Sequence, residues 1–458
     1  MKFFRSIRRR SDRTDSDRLT KKALWVHKDY LDESPDRVTW IEMINHLARL
    51  GWDITLLTGF RKERTVFPMM GKIRYIPSVK ISYLNMLTSL IFVTCYISYK
   101  IVRREVTHII LDYASFWCSF PFDILSRLGV IKITFIVDWR TFHFGQFSQQ
   151  HSFKDRFIKF STYAGLKYSQ LLHHGISVIT EPMRDAIVSW VAFDPKRICI
   201  WSSGVNPDVF SPEEKDERLA EELGLLGKFV VMYHGVFTYQ PNRGLAEAVR
   251  AMKFVKERNP QVVLVLLGNG PAAQHLSELR AEHDLKDNIL ILSPVPYQEV
   301  PRYINLCDVG VMAYPDNDYW KVNNPIKLLE YLAMEKPIIV RDMVTFRSVM
   351  NAQEGAVFIA DNDPRTIADA ICKAQTDVNF LQVEGRKGRE IVLHRYTWAQ
   401  QASKLDLFLE VGNQESDKRV SKSAPFGDSY SVSSVSKLEH EHFQQNIARQ
   451  RNLESSTD

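Results

Sequence analysis

Residues 323–339, NNPIKLLEYLAMEKPII, carry the unit from which the chain is built. Two asparagines and a proline precede an apolar helical run, and Pro337 ends that run and opens the β-branched stretch PIIV (337–340). Asn324 reads as the helix N-cap and Pro325 as the first helical position, where a missing N–H leaves nothing unpaired. The strand-like DVGVMAY (308–314) comes before, so the unit is strand, loop, helix, strand. Lys327 and Glu330, three residues apart, share nearly one face of the helix's first turns.

The same alternation extends in both directions. FVVMYHG (229–235), VVLVLLG (262–268), ILIL (289–292) and VFIA (357–360) read as strands. The helix after the first has apolar residues at 245, 248, 249, 252 and 255. Earlier, ALWVH (23–27), DITLLTG (53–59), THIILDY (107–113), KITFIVD (132–138), GISVIT (175–180) and RICIWSSG (197–204) repeat the pattern, with a helix over 38–51. Strands that are apolar throughout belong in parallel sheets covered on both faces. The expected fold is therefore α/β, with two doubly wound Rossmann-like domains whose parallel sheets face a central cleft. NPDVFSPEEKDE (206–217) interrupts the alternation and sets the boundary. The domains are expected over 22–207 and 208–394, a returning segment over 395–413, and disordered polar tails over 1–21 and 414–458. Residues 81–99 contain no charge, but Asn85 and several Ser, Thr and Tyr favour a core helix over a membrane-spanning one.

Charge excludes one class of function. The chain carries a net +6, and residues 1–22 alone hold nine Lys or Arg against three Asp, so the rest is balanced. No general basic surface for nucleic acid exists. The tail, with Phe3, Phe4 and Ile7 among its basic residues, suits peripheral contact with an anionic membrane. The five cysteines lack metal spacing and read as reduced thiols of a cytoplasmic protein; no signal peptide is expected.

In doubly wound sheets ligands bind outside the carboxyl ends of the strands. The loop PDNDYWKVNN (315–324) leaves such an end, so the helix after it points its free N–H groups and positive dipole end at the crevice. Lys327 adds a positive charge there, and Glu330 can accept from two neighbouring hydroxyls. Phosphate beside a ribose diol fits that pattern; a surface ion pair between Lys327 and Glu330 is the plain alternative. HGVFTYQPNRGL (234–245) brings Gly235 and Arg243 to the same edge, LLGNGP (266–271) brings Gly268, and SPVPYQEVPRY (293–303) brings Val295 to border a base. Asp138 ends a strand of the first domain, where it would orient acceptor or donor sugar, or merely fix a loop. Arg140 and His27 are weaker candidates, and His173 and His174 read as incidental.

The second half resembles the nucleotide-sugar domain of the retaining GT-B glycosyltransferases of the glycosyltransferase 4 type (group 1), the family of glycogen and sucrose synthases. The resemblance rests on WSSGVNPDVFSP (201–212), LLGNGP, VPYQEVPRYINLCDVGVMAY (295–314), NPIKLLEYLAMEKPII and RYTWAQQASKL (395–405), in that order, and covers roughly 23–410. It implies a hexosyltransferase-like enzyme of polysaccharide biosynthesis that uses a UDP- or GDP-sugar as substrate, without cofactor or metal. Transfer with retention to a carbohydrate or lipid-linked acceptor is implied as well. It assigns Arg243 and Lys327 to the diphosphate, Glu330 to the ribose, and Asn324 and its neighbours to the phosphates through backbone N–H groups, with Gly235 beneath. DND (316–318) reads as loop, not a metal site. Two departures stand out. Val322 occupies the place of a glutamate that usually touches the donor sugar, and HKDYLDESPDR (27–37) replaces the usual Gly-Gly loop. Rival readings are a nucleotide-sugar epimerase on the same fold and a catalytically silent nucleotide-sugar-binding or scaffold protein.

Overall fold

The computed structural model describes residues 21–421, apart from 32–36, 61–68, 78–81, 141–152, 241 and 351–353. The N-terminal tail to residue 20 and residues 422–458, with the expectations attached to them, lie outside the described residues. Residues up to Gln414 form one unit that holds two parallel sheets.

The first sheet has seven strands in the order β3-β2-β1-β4-β5-β6-β7. They are β1 (Lys22–Tyr30), β2 (Asp53–Phe60), β3 (Lys72–Pro77), β4 (His108–Asp112), β5 (Thr134–Trp139), β6 (Gly175–Val178) and β7 (Ile198–Ile200). Its helices are α1 (Arg37–Arg49), α2 (Ser82–Val102), α3 (Phe120–Arg127), α4 (Phe153–Leu172) and α5 (Glu181–Val191). Period-two alternation sorts the strand side chains between two cores. Leu24, Val26, Ile109, Leu111, Phe135 and Val137 meet α2 to α5, whereas Ala23, Trp25, Ile110 and Ile136 meet α1.

The second sheet has six strands in the order β10-β9-β8-β11-β12-β13. They are β8 (Phe229–Val236), β9 (Val262–Asn269), β10 (Ile289–Leu292), β11 (Val309–Met312), β12 (Ile338–Arg341) and β13 (Ala356–Ile359). Around them lie α6 (Glu217–Glu222), α7 (Leu245–Arg258), α8 (Ala273–Glu282), α9 (Val300–Leu306), α10 (Ile326–Ala333), α11 (Val344–Val349), α12 (Pro364–Thr376) and α13 (Val378–Arg395). The last helix, α14 (Trp398–Ser421), returns to the first sheet, where Trp398, Ala402, Leu405 and Leu409 join the core under α1.

Three expectations need correction. RICIWSSG is a strand only over β7, because the chain after it turns to meet α14: the Ser202 N–H donates to Gln401 Oε1 at 2.9 Å. Strand β3 was not foreseen; it lies at the sheet edge, mostly exposed, and has no apolar run to announce it. Helix α2 is not a core helix all round. From Thr88 onward only Ser89, Val93 and Ile97 are buried, a strip one residue wide, while Leu90, Ile91 and Phe92 face solvent. No helix among the described residues is long and apolar enough to cross a membrane.

Candidate nucleotide-sugar site

The order of the second sheet reverses between β8 and β11, so the crevice beyond their carboxyl ends is where such a sheet binds ligands. Both strands deliver residues to it. β8 ends in Tyr233, His234 and Gly235. The chain after β11 runs through Tyr314 and Trp320 to α10, which begins at the same edge.

Lys327 and Glu330 lie on α10 as spaced, but they are 8% and 3% exposed, which removes the surface ion pair. Glu330 pairs instead with His234, whose Nε2 lies 2.8 Å from Glu330 Oε2. Lys327 runs along β8: its Nζ sits 5.3 Å from the centre of the Tyr233 ring, and a Cβ at Gly235 would come 3.0 Å from Lys327 Cε. Gly235 also has φ +120°, so a side chain there would be strained as well as crowded. Gly268, its register partner on β9, has φ +153°, and a Cβ there would fall 1.9 Å from the Gly235 carbonyl oxygen. The two glycines let β8 and β9 close against each other beneath the lysine.

Arg243 approaches from the loop before α7. Its Nε donates to Thr238 Oγ1 at 3.1 Å and its Nη1 to the Tyr314 hydroxyl at 3.4 Å. The guanidinium lies 5.4 Å from the centre of the Trp320 ring. Trp320 in turn donates Nε1–H to the Asn242 carbonyl at 2.7 Å, which fixes the loop. Burial, together with the nearby Arg243 charge, lowers the Lys327 pKa despite the opposing influence of Tyr314 and Glu330. Burial alone would raise the Tyr314 phenol, but the Lys327 and Arg243 charges outweigh it and hold it below its ordinary value. Neither Lys327 nor Arg243 makes an ion pair among the described residues. Two cations so placed, one of them buried, favour an anion in the crevice.

Asn324 is not the cap expected of it. Pro325 occupies the cap position with extended backbone (φ −76°, ψ 136°), and no side chain caps α10. The Asn324 amide is buried with neither its nitrogen nor its oxygen hydrogen-bonded. Val295 is half-buried on the second core, two residues from Tyr297. The Tyr297 hydroxyl has no partner, and burial with the charges of Glu330 and of Glu42 on α1 raises it far above its usual range. That coupling places the Glu330 end of the crevice beside the first lobe. Val322 continues this contact, since it packs into the core under α2 to α5 and its carbonyl accepts from Thr180 Oγ1 at 2.6 Å.

The first-lobe candidates do not join this group. Asp138 is 1% exposed, accepts from Ser177 Oγ at 2.7 Å through Oδ1, and leaves Oδ2 unpaired. Burial pushes its carboxyl up to about 6, against the Arg140 charge and the Ser177 hydrogen bond and with help from Asp112. Arg140 lies over the Trp201 ring at 3.9 Å, and His27 packs on Trp40 with ring centres 4.7 Å apart. His173 is structural: its Nε2 lies 2.9 Å from Ser119 Oγ and 3.3 Å from Asp123 Oδ2, with both the His173 and Asp123 side chains fully buried. The DND carboxylates pair with cations, Asp316 with Lys321 at 3.2 Å and more loosely with Arg341. Sequence reading missed His234 and Tyr314, which resemble ordinary core residues until their partners 96 and 71 positions away are known, and Tyr297, whose hydroxyl lies within the influence of Glu330 33 positions away.

Comparison with known proteins fits this geometry. The family model for Glycosyl transferases group 1 matches residues 228–377, the segment that contains β8, β9, Arg243 and α10. The second lobe is a glycosyl transferases group 1 domain. The chain is similar to the GDP-mannose-dependent alpha-(1-6)-phosphatidylinositol monomannoside mannosyltransferase of Mycolicibacterium smegmatis, 22% identical over 44% of this chain and 53% of that protein. The chain spans about half or less of the length of the curated relatives it matches first. Among solved structures, the sucrose-phosphate synthase of Thermosynechococcus elongatus superposes with TM-score 0.68 at 15% identity, over 85% of this chain and 98% of that one. HepE of Anabaena, solved with UDP and glucose, gives 0.66 at 12% identity, over 85% and 99%. These neighbours show that the chain has the GT-B fold.

Proposed function

We propose that the chain is a glycosyltransferase that takes a hexose from a nucleoside diphosphate sugar bound in the second-lobe crevice. The observation that carries this reading is the pair of cations, Lys327 and Arg243, held beside one another at the β8/β11 edge without an ion-paired carboxylate among the described residues. A diphosphate leaving group gains charge as its bond to the sugar breaks, and preorganised cations aimed at that charge lower the barrier. Glu330, oriented by His234, accepts from the ribose hydroxyls, and the open amide of Asn324 supplies a donor and an acceptor beside the α10 N-terminus. Transfer proceeds with retention and needs no metal in this reading. A UDP- or GDP-sugar is the donor, and a carbohydrate or lipid-linked acceptor used in polysaccharide assembly on the cytoplasmic side is the other substrate. The solved neighbour bound to UDP and glucose and the GDP-mannose-dependent relative support that choice of donor.

One observation favours a second reading. The position at which the family usually carries a sugar-contacting glutamate is Val322, and it is buried in the first lobe's core. A silent nucleotide-sugar-binding protein would tolerate that. The test is a thermal-shift screen against UDP-, GDP- and ADP-sugars, followed by product analysis with and without acceptor. A rise in Tm with one donor, then a new glycoside with retained anomeric configuration, is expected. Binding without turnover would select the silent reading, and no response to any donor would end both.

A further inference from the structure

A second feature lies on the opposite lobe. Fifteen of the 24 exposed large apolar side chains among the described residues fall between Leu90 and Leu171, so they form a patch and not the scatter of an ordinary surface. Twelve of them lie on α2, α3 and α4, which share one side of the first sheet and turn their inner faces to its core, and Trp117, Leu128 and Val130 flank α3. The three elements adjoin. Thr94 Oγ1 donates to the Cys118 carbonyl at 3.4 Å, and the rings of Trp117 and Phe120 lie 5.3 and 6.4 Å from that of Tyr168 on α4. On α4 the helix period separates buried Leu166 and Ser169 from an outer row of Phe157, Phe160, Tyr163 and Leu171 that runs about 21 Å along the helix.

Charge identifies what this face meets. Over residues 88–105, 116–132 and 153–172 the chain carries nine Lys or Arg against three acidic residues, Glu105, Asp123 and Asp155, of which Asp123 is buried and hydrogen-bonded to Ser119 and Tyr168. Arg104, Arg127, Arg156 and Lys159 are exposed and make no ion pair among the described residues, whereas Lys100 and Arg103 pair with Glu105. Aromatic rings interleaved with basic side chains on helices too polar to insert form the pattern of a face that lies in the headgroup region of an anionic bilayer. A protein partner would not require the excess of one charge; an anionic lipid surface does.

We propose that the outer face of α2, α3 and α4 docks the first lobe on an anionic lipid surface, with Phe157, Phe160, Trp117 and Phe120 entering the headgroup layer and Arg156 and Lys159 meeting lipid phosphates. The docking face is separate from the crevice of the second lobe. It is also distinct from the basic tail at residues 1–21.

The test is co-flotation of the full chain with vesicles of phosphatidylcholine alone or with about 30 mol % phosphatidylglycerol, for the wild type, Phe157→Ser/Phe160→Ser, Arg156→Glu/Lys159→Glu, and a chain lacking residues 1–20. Far-UV circular dichroism confirms folding; the charge-reversal pair, at two exposed positions, guards against a misfolded aromatic variant. Wild type should float with the anionic vesicles, the two α4 variants should lose about tenfold or more in partitioning, and the truncated chain should keep most of it. Three results would overturn the proposal. One is wild type that ignores both vesicles, and another is binding lost only on removing residues 1–20. The third is α4 variants that bind lipid normally but abolish a concentration-dependent dimer, which would make a second copy of the chain the occupant.

Discussion

The two lobes share one architecture and depart from the ordinary burial rule in opposite directions. The second lobe draws charge inward: Lys327 and Glu330 are as buried as core residues, and the lysine makes no ion pair among the described residues. The first lobe pushes aromatic surface outward, with Phe157 and Phe160 61% and 68% exposed on a helix whose inner face buries Leu166 and Ser169. Each departure disfavours the isolated protein, and the two proposals assign a different ligand to offset each, an anion in one case and a lipid surface in the other. Buried polar groups and exposed apolar patches are the informative exceptions to chain burial.

The largest expected effect breaks the crevice itself. Gly268→Ala would force a side chain into the Gly235 carbonyl at φ +153°, and should cost about 3 kcal/mol or more, measured by urea unfolding. Wild-type stability in that variant would mean that β8 and β9 do not need their close approach.

Asp138 sharpens the contrast, because the first lobe also buries an ionisable group but one that keeps its proton to a higher pH. Its folded-state value of about 6 lies above the ordinary 3.8, so the folded protein binds the proton more tightly between those values. Stability is therefore lost as pH rises from about 4 to about 6. Asp138→Asn should raise stability at pH 7.5 by up to about 3 kcal/mol, a gain that vanishes near pH 4. A loss at both values would show that the carboxylate is held ionised by Arg140.

Lys327→Met tests the second lobe in the same way. Removing a buried cation that has no ion-pair partner among the described residues should leave the ligand-free protein unchanged or more stable by about 1 kcal/mol or more, while stabilisation by a nucleoside diphosphate disappears. The smallest effect is expected on the outer face. Phe157→Ser/Phe160→Ser should change thermal stability in detergent-free buffer by no more than about 0.5 kcal/mol, because these rings lose little on solvent exposure they already have. A large drop would mean that the face is covered by another part of the chain.

The difference between the lobes also explains what the sequence disclosed. Central strands such as β8, β9 and β5 are apolar on both faces and stand out as runs. So does α10, whose apolar stripe is bracketed by two prolines. Edge strand β3 and helix α4 did not: one is half-exposed, and the other carries aromatics on its solvent side, which blurs the period that would mark a core face. The site was legible where chemistry is local. Arg243, Lys327, Glu330, Gly235 and Gly268 gather at one edge. Asp138 does not join them, because a carboxyl at a strand end may turn into the core as readily as into a cleft. Asn324 was misread as a cap because Pro325 took the extended conformation itself, leaving the amide of Asn324 open. His234 gave no signal, since its function is to hold a glutamate 96 residues away.

The central claim is that Lys327 and Arg243 wait for a diphosphate, and calorimetric titration tests it most directly. UDP and GDP, with uridine and guanosine as phosphate-free controls, would be titrated into wild type and Lys327→Met. The account predicts that one diphosphate binds the wild type, that its nucleoside binds at least about tenfold more weakly, and that Lys327→Met loses that difference. Equal affinity of diphosphate and nucleoside in the wild type, or a diphosphate affinity that Lys327→Met leaves intact, would contradict it.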